Sequence, residues 1–288
     1  MENVNKVINE FRTKGFAVIP HFLEDNETEL LKNECKALID KMDSREEHAV
    51  FSTGDDQKAN HYFMTSADKI RYFYEKNAFN ASGDLVVDKY LSLNKIGHAL
   101  HWLSPAFKSV TFSPKVKQLV RNVGFVDPVV VQSMYIFKNP GIGGEVIPHQ
   151  DATYLHSTPE PKCIGLWFAL EDATEENGCL EFIPGSHLDG LHTQWVRTND
   201  ENSSMKLTKE MSEFGKKIDE KAFIKVPVSK GSAVLIDGLV VHKSDLNHTS
   251  SGRPIYTFHI FDQNNRVWDP LNWLQPSPQL PFPSLYNN

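Results

Sequence analysis

The sequence predicts a mainly β fold with an α-helical shell, an α+β domain whose core is a sandwich or jelly roll. Two observations lead there. Apolar residues at helical spacing cluster in the first 125 residues. After them come six short β-rich runs, 129–137, 163–170, 179–183, 222–228, 232–236 and 255–261, separated by Gly, Pro, Asn and Asp with no helical pattern between them. A parallel sheet would need crossover helices there, so an antiparallel sandwich or jelly roll is expected. No internal repeat divides the chain, and 288 residues suit one large domain. The expected organisation is a single domain over 1–288: a mostly helical shell (1–125), the β core (126–265) and a C-terminal tail (266–288).

Val4, Val7, Ile8 and Phe11 recur at helical spacing until Gly15, and 16–20 then reads as a short strand. Leu31, Cys35, Leu38 and Met42 form the stripe of a second helix, whose acidic first turn (Glu24, Asp25, Glu27) suits the positive end of its dipole. Residues 44–60 are polar and read as a surface loop. The mixture of charges and aromatics over 68–75 fits a half-buried strand or a segment facing substrate. His98 and His101 would share a face on a helix, but no carboxylate sits at a matching offset, so satisfied or surface histidines are the plainer expectation. Lys95, among apolar neighbours, either reaches an anionic ligand or snorkels to the surface. Ser113, Pro114 and Gly124 punctuate a helix as N-cap, first residue and terminator.

Two of the β runs indicate where a pocket would lie. In 163–170 the even positions are large and apolar and suit a packed core, whereas Trp167 rises among small odd neighbours toward open space. In 129–137, Gln132 and Met134 are suited to lining a cavity, although Trp and Met are as often simple core residues. His187, beside the Pro184-Gly185 turn, reads as a turn-stabilising histidine before a metal ligand. The very polar stretch 199–221 is expected to leave the β core as a candidate lid, and Trp273 and Phe282 to pin the Pro-rich tail.

Composition removes several classes. A net charge of −7 argues against nucleic acid as the main partner. No apolar run approaches the ~20 residues of a membrane span. The N-terminus lacks a signal-peptide pattern and the C-terminus lacks the peroxisomal tripeptide. Cys35, Cys163 and Cys179 have no metal-binding spacing and make a poor disulfide framework, so a reducing, intracellular setting is expected. A monomer is the default.

The chemistry gathers around Pro148-His149-Gln150-Asp151, just after Gly141-Ile142-Gly143-Gly144. An imidazole and a carboxylate two residues apart lie on one face if the backbone is extended. Alone, HxD is weak evidence. Later come His242 and, eleven residues on, Arg253. Two His and one carboxylate make the facial triad that binds Fe(II) with positions left open. An arginine beyond the distal His offers a bidentate fork for a carboxylate, and Ser244 shares the face of His242 if that segment is a strand. So arranged, His149, Asp151 and His242 would hold Fe(II), while Arg253 with Ser244 would grip the far carboxylate of a 2-oxoacid whose oxidative decarboxylation supplies the oxidant for a C–H bond. The competing reading is structural for all of them.

These segments, with Glu176-Asn177-Gly178-Cys179-Leu180 and 182–187, 94–101 and 272–276, resemble the phytanoyl-CoA dioxygenase family over nearly the whole chain. The resemblance implies a double-stranded β-helix (jelly roll, cupin-like) with N-terminal helices packed on it, Fe(II), and 2-oxoglutarate as co-substrate with O2, ascorbate being supportive. It further implies that Lys95, Met134, Trp167, Ser244 and Arg253 contact the co-substrate. Relatives that halogenate replace the triad carboxylate with a small residue; Asp151 here favours hydroxylation. The expected activity is therefore an Fe(II)- and 2-oxoglutarate-dependent dioxygenase hydroxylating a small organic or acyl-type substrate. The rivals are a sensor that binds metal and 2-oxoglutarate without hydroxylating, and a zinc hydrolase on the same ligands. The substrate itself is not legible; 68–75 and 199–221 are where contact is expected. No basic strip for a CoA thioester stands out.

Overall fold

The computed structural model describes residues 2–42, 49–50, 61–198, 205–208 and 218–288. Six helices are described: α1 (Glu2–Lys14), α2 (Asp25–Lys41), α3 (His61–Met64), α4 (Leu100–Leu103), α5 (Pro105–Thr111) and α6 (Pro114–Val123). The first eight strands are β1 (Phe16–Ile19), β2 (Ala49–Val50), β3 (Ile70–Tyr74), β4 (Leu93–His98), β5 (Pro128–Ile136), β6 (Val146–His149), β7 (Ser157–Thr158) and β8 (Cys163–Ala169). They are followed by β9 (Leu180–Phe182), β10 (Trp195–Arg197), β11 (Met205–Leu207), β12 (Ile224–Val226), β13 (Ala233–Asp237), β14 (His242–Ser244), β15 (Ile255–Asp262) and β16 (Val267–Trp268).

The β strands form a jelly roll, the double-stranded β-helix. An eight-stranded sheet runs β1-β13-β8-β15-β5-β4-β3-β2, and a four-stranded sheet runs β12-β9-β14-β6. Residues from both sheets line the cavity between them. The segment before residue 125 supplies β1 to β4 to the larger sheet as well as its helical cover.

Period-two alternation sorts the larger sheet into two faces. Ile164, Leu166 and Phe168 of β8, Ala233 and Leu235 of β13, and Tyr256, Phe258 and Ile260 of β15 meet Leu31, Cys35 and Ile39 of α2, Phe107 of α5, and Val116 and Leu119 of α6. The opposite phase, with Trp167, Ala169, Val234, Ile236 and Ile255, packs against Leu180 and Phe182 of the smaller sheet. β5 changes phase along its length. The ladder with β15 pairs His259 with Gln132 but Ile260 with Val130, so Val131 is an extra residue, a bulge. Val130 therefore joins the helix-side core together with Tyr135 and Phe137, while Gln132, Met134 and Ile136 face the cavity.

Local signals act as their chemistry predicts, with adjustments. Gly15 ends α1 at φ +84°, and a Cβ there would meet Val240 at 2.8 Å. α2 opens with a capping box, Glu24 N–H donating to Glu27 Oε2 at 2.8 Å. Its buried stripe is Thr28, Leu31, Cys35 and Ile39; the expected Leu38 and Met42 are only partly buried. Ser113 takes the extended N-cap position of α6, but its hydroxyl is buried without a hydrogen-bond partner. His98 and His101 share no helix, because one ends β4 and the other lies in α4. The run read as 222–228 is a strand only over Ile224–Val226.

The expected surface loop 44–60 lies outside the described residues apart from β2, as does most of 199–221. Within the latter, Met205–Leu207 forms a strand that pairs with Trp195–Arg197, where no strand was expected. No described helix is long and apolar enough to cross a membrane. The tail is pinned by Trp273 and Phe282, packed with Trp195 and Phe261, and by Leu285 in the main core.

The helix-side core is the stability element. Phe258 is fully buried between Phe168 and Tyr256, each at 5.6 Å. Phe258→Ala is expected to cost about 3–5 kcal/mol, combining lost transfer energy with the cavity left behind. The measurement is urea unfolding, with a lowered midpoint at unchanged slope.

Candidate metal centre and co-substrate pocket

His149 closes β6, and Asp151 opens a tight turn over Asp151–Thr153. The two are therefore not on one continuous strand, as the simplest reading of HxD has it. Gln150 between them is extended (φ −114°, ψ 135°), which preserves the two-residue step. It is also buried and fixed: its Nε2 donates to Gly190 O at 2.8 Å and Leu239 O at 2.6 Å, and its Oε1 accepts from His192 N at 2.9 Å. On β14, His242 lies opposite His149 in the antiparallel ladder.

The result is one compact donor set. Ring centres of His149 and His242 are 4.2 Å apart, and their Nε2 atoms lie 3.5 and 3.7 Å from Asp151 Oδ1. One ligand atom from each residue falls within 4.8 Å of the others. Each imidazole is aimed by its own chain, Nδ1 donating to Ile147 O at 2.9 Å in His149 and to Val240 O at 3.1 Å in His242. That leaves both Nε2 lone pairs free for a metal. Burial, with His149 beside it, lowers the His242 pKa to about 4, so it is neutral near pH 7. For Asp151, burial alone would favour the neutral acid; the surrounding imidazoles of His259, His242 and His149 outweigh it and hold the pKa well below the usual range. Two imidazoles and a carboxylate match the donor set of non-haem Fe(II) sites.

Beyond these residues a cavity of about 200 Å³ runs along the inner face of the larger sheet, past Met134, Trp167 and Thr257, to Arg253. Arg253 is 2% exposed, its Nη2 donates to Ser244 Oγ at 3.4 Å, and its guanidinium carbon is 5.4 Å from the Trp167 ring centre. Its Nε is buried with no hydrogen-bond partner, and no carboxylate among the described residues pairs with it. Burial lowers its pKa to about 10. A buried guanidinium without a counter-ion is costly unless a ligand supplies one.

Two lysines add to the positive charge. Lys138 Nζ donates to Gly144 O at 2.9 Å and Ser244 O at 3.3 Å. Burial, then repulsion from Arg253, lowers it to about 7, and burial lowers Lys95 to about 7 as well. Among the acids near Lys138, which include Asp245 and Glu145, Glu75 accepts from Asn94 Nδ2 at 2.9 Å, and burial raises its pKa. Lys243, also at the cavity, is paired with Glu220 at 2.6 Å. This end of the pocket is thus lined by Arg253, Lys138 and Lys95, basic groups suited to a dianion.

On the other side of the metal ligands the wall turns aromatic. Tyr154 lies 6.1 Å from His149, Trp195 5.8 Å from Tyr154, Phe63 5.9 Å from Trp195, and Trp273 4.3 Å from Phe63 by ring centres. These residues come from four distant segments, and no spacing in the sequence connects them. Lys138, Gln132 in a polar role and His259 were likewise not singled out. For His259 a signal existed, since Thr257 and His259 are polar at alternate positions of an otherwise apolar run.

Other expected contacts fall elsewhere. His98 lines the cavity but is not a ligand, its Nδ1 bonding Ser66 Oγ at 2.8 Å; His101 Nδ1 bonds Ser133 Oγ at 2.9 Å. His187 Nε2 donates to Arg12 O at 3.1 Å, away from the cavity, as a turn histidine would. None of 68–75 lines the cavity; that segment is the strand β3.

The family model described as Phytanoyl-CoA dioxygenase (PhyH) matches residues 11–255. A Danio rerio protein described as phytanoyl-CoA dioxygenase domain-containing protein 1 is 48% identical over 288 residues, covering 97% of each chain. An Arabidopsis thaliana protein described as phytanoyl-CoA dioxygenase is 38% identical over 92% of this chain and 91% of its own. Among solved structures, the epimerase SnoN in complex with Fe3+, alpha ketoglutarate and nogalamycin RO superposes with a TM-score of 0.63 at 15% identity, over 99% of both chains. EctD from S. alaskensis, with 2-oxoglutarate and 5-hydroxyectoine, superposes at 0.59 and 17% identity, over 90% of this chain and 76% of its own. At such identities the likeness concerns the fold.

Proposed function

The chain belongs to the phytanoyl-CoA dioxygenase family, and from that premise we propose that it is an Fe(II)- and 2-oxoglutarate-dependent dioxygenase hydroxylating a small organic or acyl-type substrate. One observation carries the reading: a buried arginine with no counter-ion among the described residues closes the cavity whose other end holds two imidazoles and a carboxylate. A zinc hydrolase has no use for such an arginine.

His149, Asp151 and His242 would hold the metal, and Arg253 with Ser244 the far carboxylate of 2-oxoglutarate. Met134 and Trp167 would flank its carbon chain, and Lys95 would add charge attraction. With O2, the loaded metal and co-substrate supply the oxidising chemistry, which ends in succinate, CO2 and a hydroxylated substrate. The chain's own work is to orient both partners and to keep water from them, Trp167 being 5% exposed. Phe63, Tyr154, Trp195 and Trp273 would receive the substrate on the far side of the metal. The three buried free thiols suit a reducing, cytoplasmic setting, and we read the protein as a monomer.

The test is succinate release from 2-oxoglutarate in air with Fe(II) and ascorbate and no added substrate. Slow release is expected with Fe(II) and none with Zn(II). Ester or amide hydrolysis with Zn(II), and no succinate with Fe(II), would sink the proposal.

Co-substrate affinity should also depend on pH. Lys95 and Lys138, both lowered to about 7, attract a dianion only when protonated. Affinity is therefore full below about pH 6 and weakens as pH rises through 7 toward 8, by up to about tenfold per pH unit for each lysine engaged. Calorimetry in buffers of different ionisation enthalpy should show proton uptake on binding near pH 7.5. Binding that is flat from pH 6 to 8.5, with no uptake, would remove the lysines from the co-substrate site.

A further inference from the structure

Asp151 sits on a turn, so no ladder of backbone hydrogen bonds sets the direction of its carboxylate. A neighbour does. His259, on the cavity-facing row of β15, has Nε2 3.1 Å from Asp151 Oδ2. Its other ring nitrogen, Nδ1, lies 3.2 Å from Nε2 of Gln132, the residue opposite it on β5. An amide nitrogen only donates and an ionised carboxylate oxygen only accepts. The His259 proton is therefore on Nε2, pointing at Oδ2.

The two carboxylate oxygens thus have separate neighbours. Oδ1 faces the metal-side nitrogens of His149 and His242, at 3.5 and 3.7 Å, while Oδ2 faces away, toward His259. Gly165 of β8 lies beside His259 in the other ladder. A Cβ there would stand 3.3 Å from Asp151 Oδ2 and 3.4 Å from His259 Nε2, tight against both. The floor of the cavity has no side chain at the place where this contact passes over it.

We propose that His259, with its tautomer set by Gln132, is a positioning residue that engages Asp151 Oδ2 and leaves Oδ1 alone to ligate the metal. A count of positions says why this matters. An octahedral ion has six; two imidazoles, one carboxylate oxygen and a chelating 2-oxoacid occupy five and leave one open. A carboxylate bound through both oxygens would leave none. The hydrogen bond from His259 disfavours that second mode and raises the cost of turning the carboxylate away.

This inference rests on the metal reading of the same site, and the test separates the two. Mn(II) serves as the probe, with binding read from the EPR signal of the free ion, in the presence and absence of 2-oxoglutarate. His259→Ala should weaken Mn(II) binding about 10–100-fold. His259→Gln, whose amide can donate to Oδ2, should recover most of it, and Gln132→Leu should fall between. A packing role alone would lower the melting temperature of the metal-free protein and leave the Mn(II) affinity at the wild-type value. Wild-type affinity in His259→Ala overturns the inference. Should that variant not fold, Gln132→Leu decides on the same readout, wild-type affinity again overturning it. A wild-type protein that binds no Mn(II) would overturn the metal reading, and this inference with it.

Discussion

Asp151→Ala should abolish Fe(II)-dependent succinate release, by roughly a thousandfold or more. Loss of a residue one shell further out typically costs 10–100-fold, and loss of a ligand should exceed that. The substitution removes the only anion in the donor set and leaves His149, His242 and His259 facing one another across a buried space. Two imidazoles alone hold a divalent ion poorly, and the charge that offsets the metal is gone. The measurement pairs succinate formation with Fe(II) binding. Near-normal turnover in the alanine variant would mean that the metal is held elsewhere.

Arg253→Met should have two opposite effects. Affinity for 2-oxoglutarate should fall by about thirtyfold or more, because truncating one member of a buried, hydrogen-bonded charge pair costs about 2–5 kcal/mol. The ligand-free protein should become more stable by about 1–3 kcal/mol, since a guanidinium 2% exposed and with no counter-ion among the described residues is replaced by an apolar chain of similar length. Calorimetric titration reads the first effect and urea unfolding the second. Serving function at the expense of stability is what marks Arg253 as a ligand-binding rather than a packing residue. A variant that loses stability and keeps its 2-oxoglutarate affinity would assign it to the fold instead.

What could be read in the chain followed the length of the signal. β8 and β15 are seven and eight residues long, and their alternation shows within a residue or two of the true ends. β6 and β14, which carry His149 and His242, are four and three residues long, too short for any period to emerge. Those ligands were legible through their chemistry, not their secondary structure. Arg253 and Ser244 are near neighbours in sequence, so their meeting was foreseeable. The cation-rich end was not, because Lys138 stands beside Asn139 and Pro140 and reads as a surface turn, and burial of a lysine leaves no mark on the sequence. The aromatic wall was invisible for a different reason: residues 63, 154, 195 and 273 meet only through tertiary structure.

The extra residue at Val131 acts like a shift of reading frame within one strand. Upstream of it even-numbered side chains belong to the core, and downstream they belong to the cavity. Gln132 and Met134 owe their address to that single inserted residue, not to their own side chains. Were this stretch to pair as a regular ladder with no residue bulged out, composition and hydropathy would be unchanged, yet Tyr135 and Phe137 would turn into the pocket and Gln132 would swing away from His259. Comparisons of related chains that weigh only matching letters would pass over such a change of pairing, whereas the chemistry of the site would not survive it.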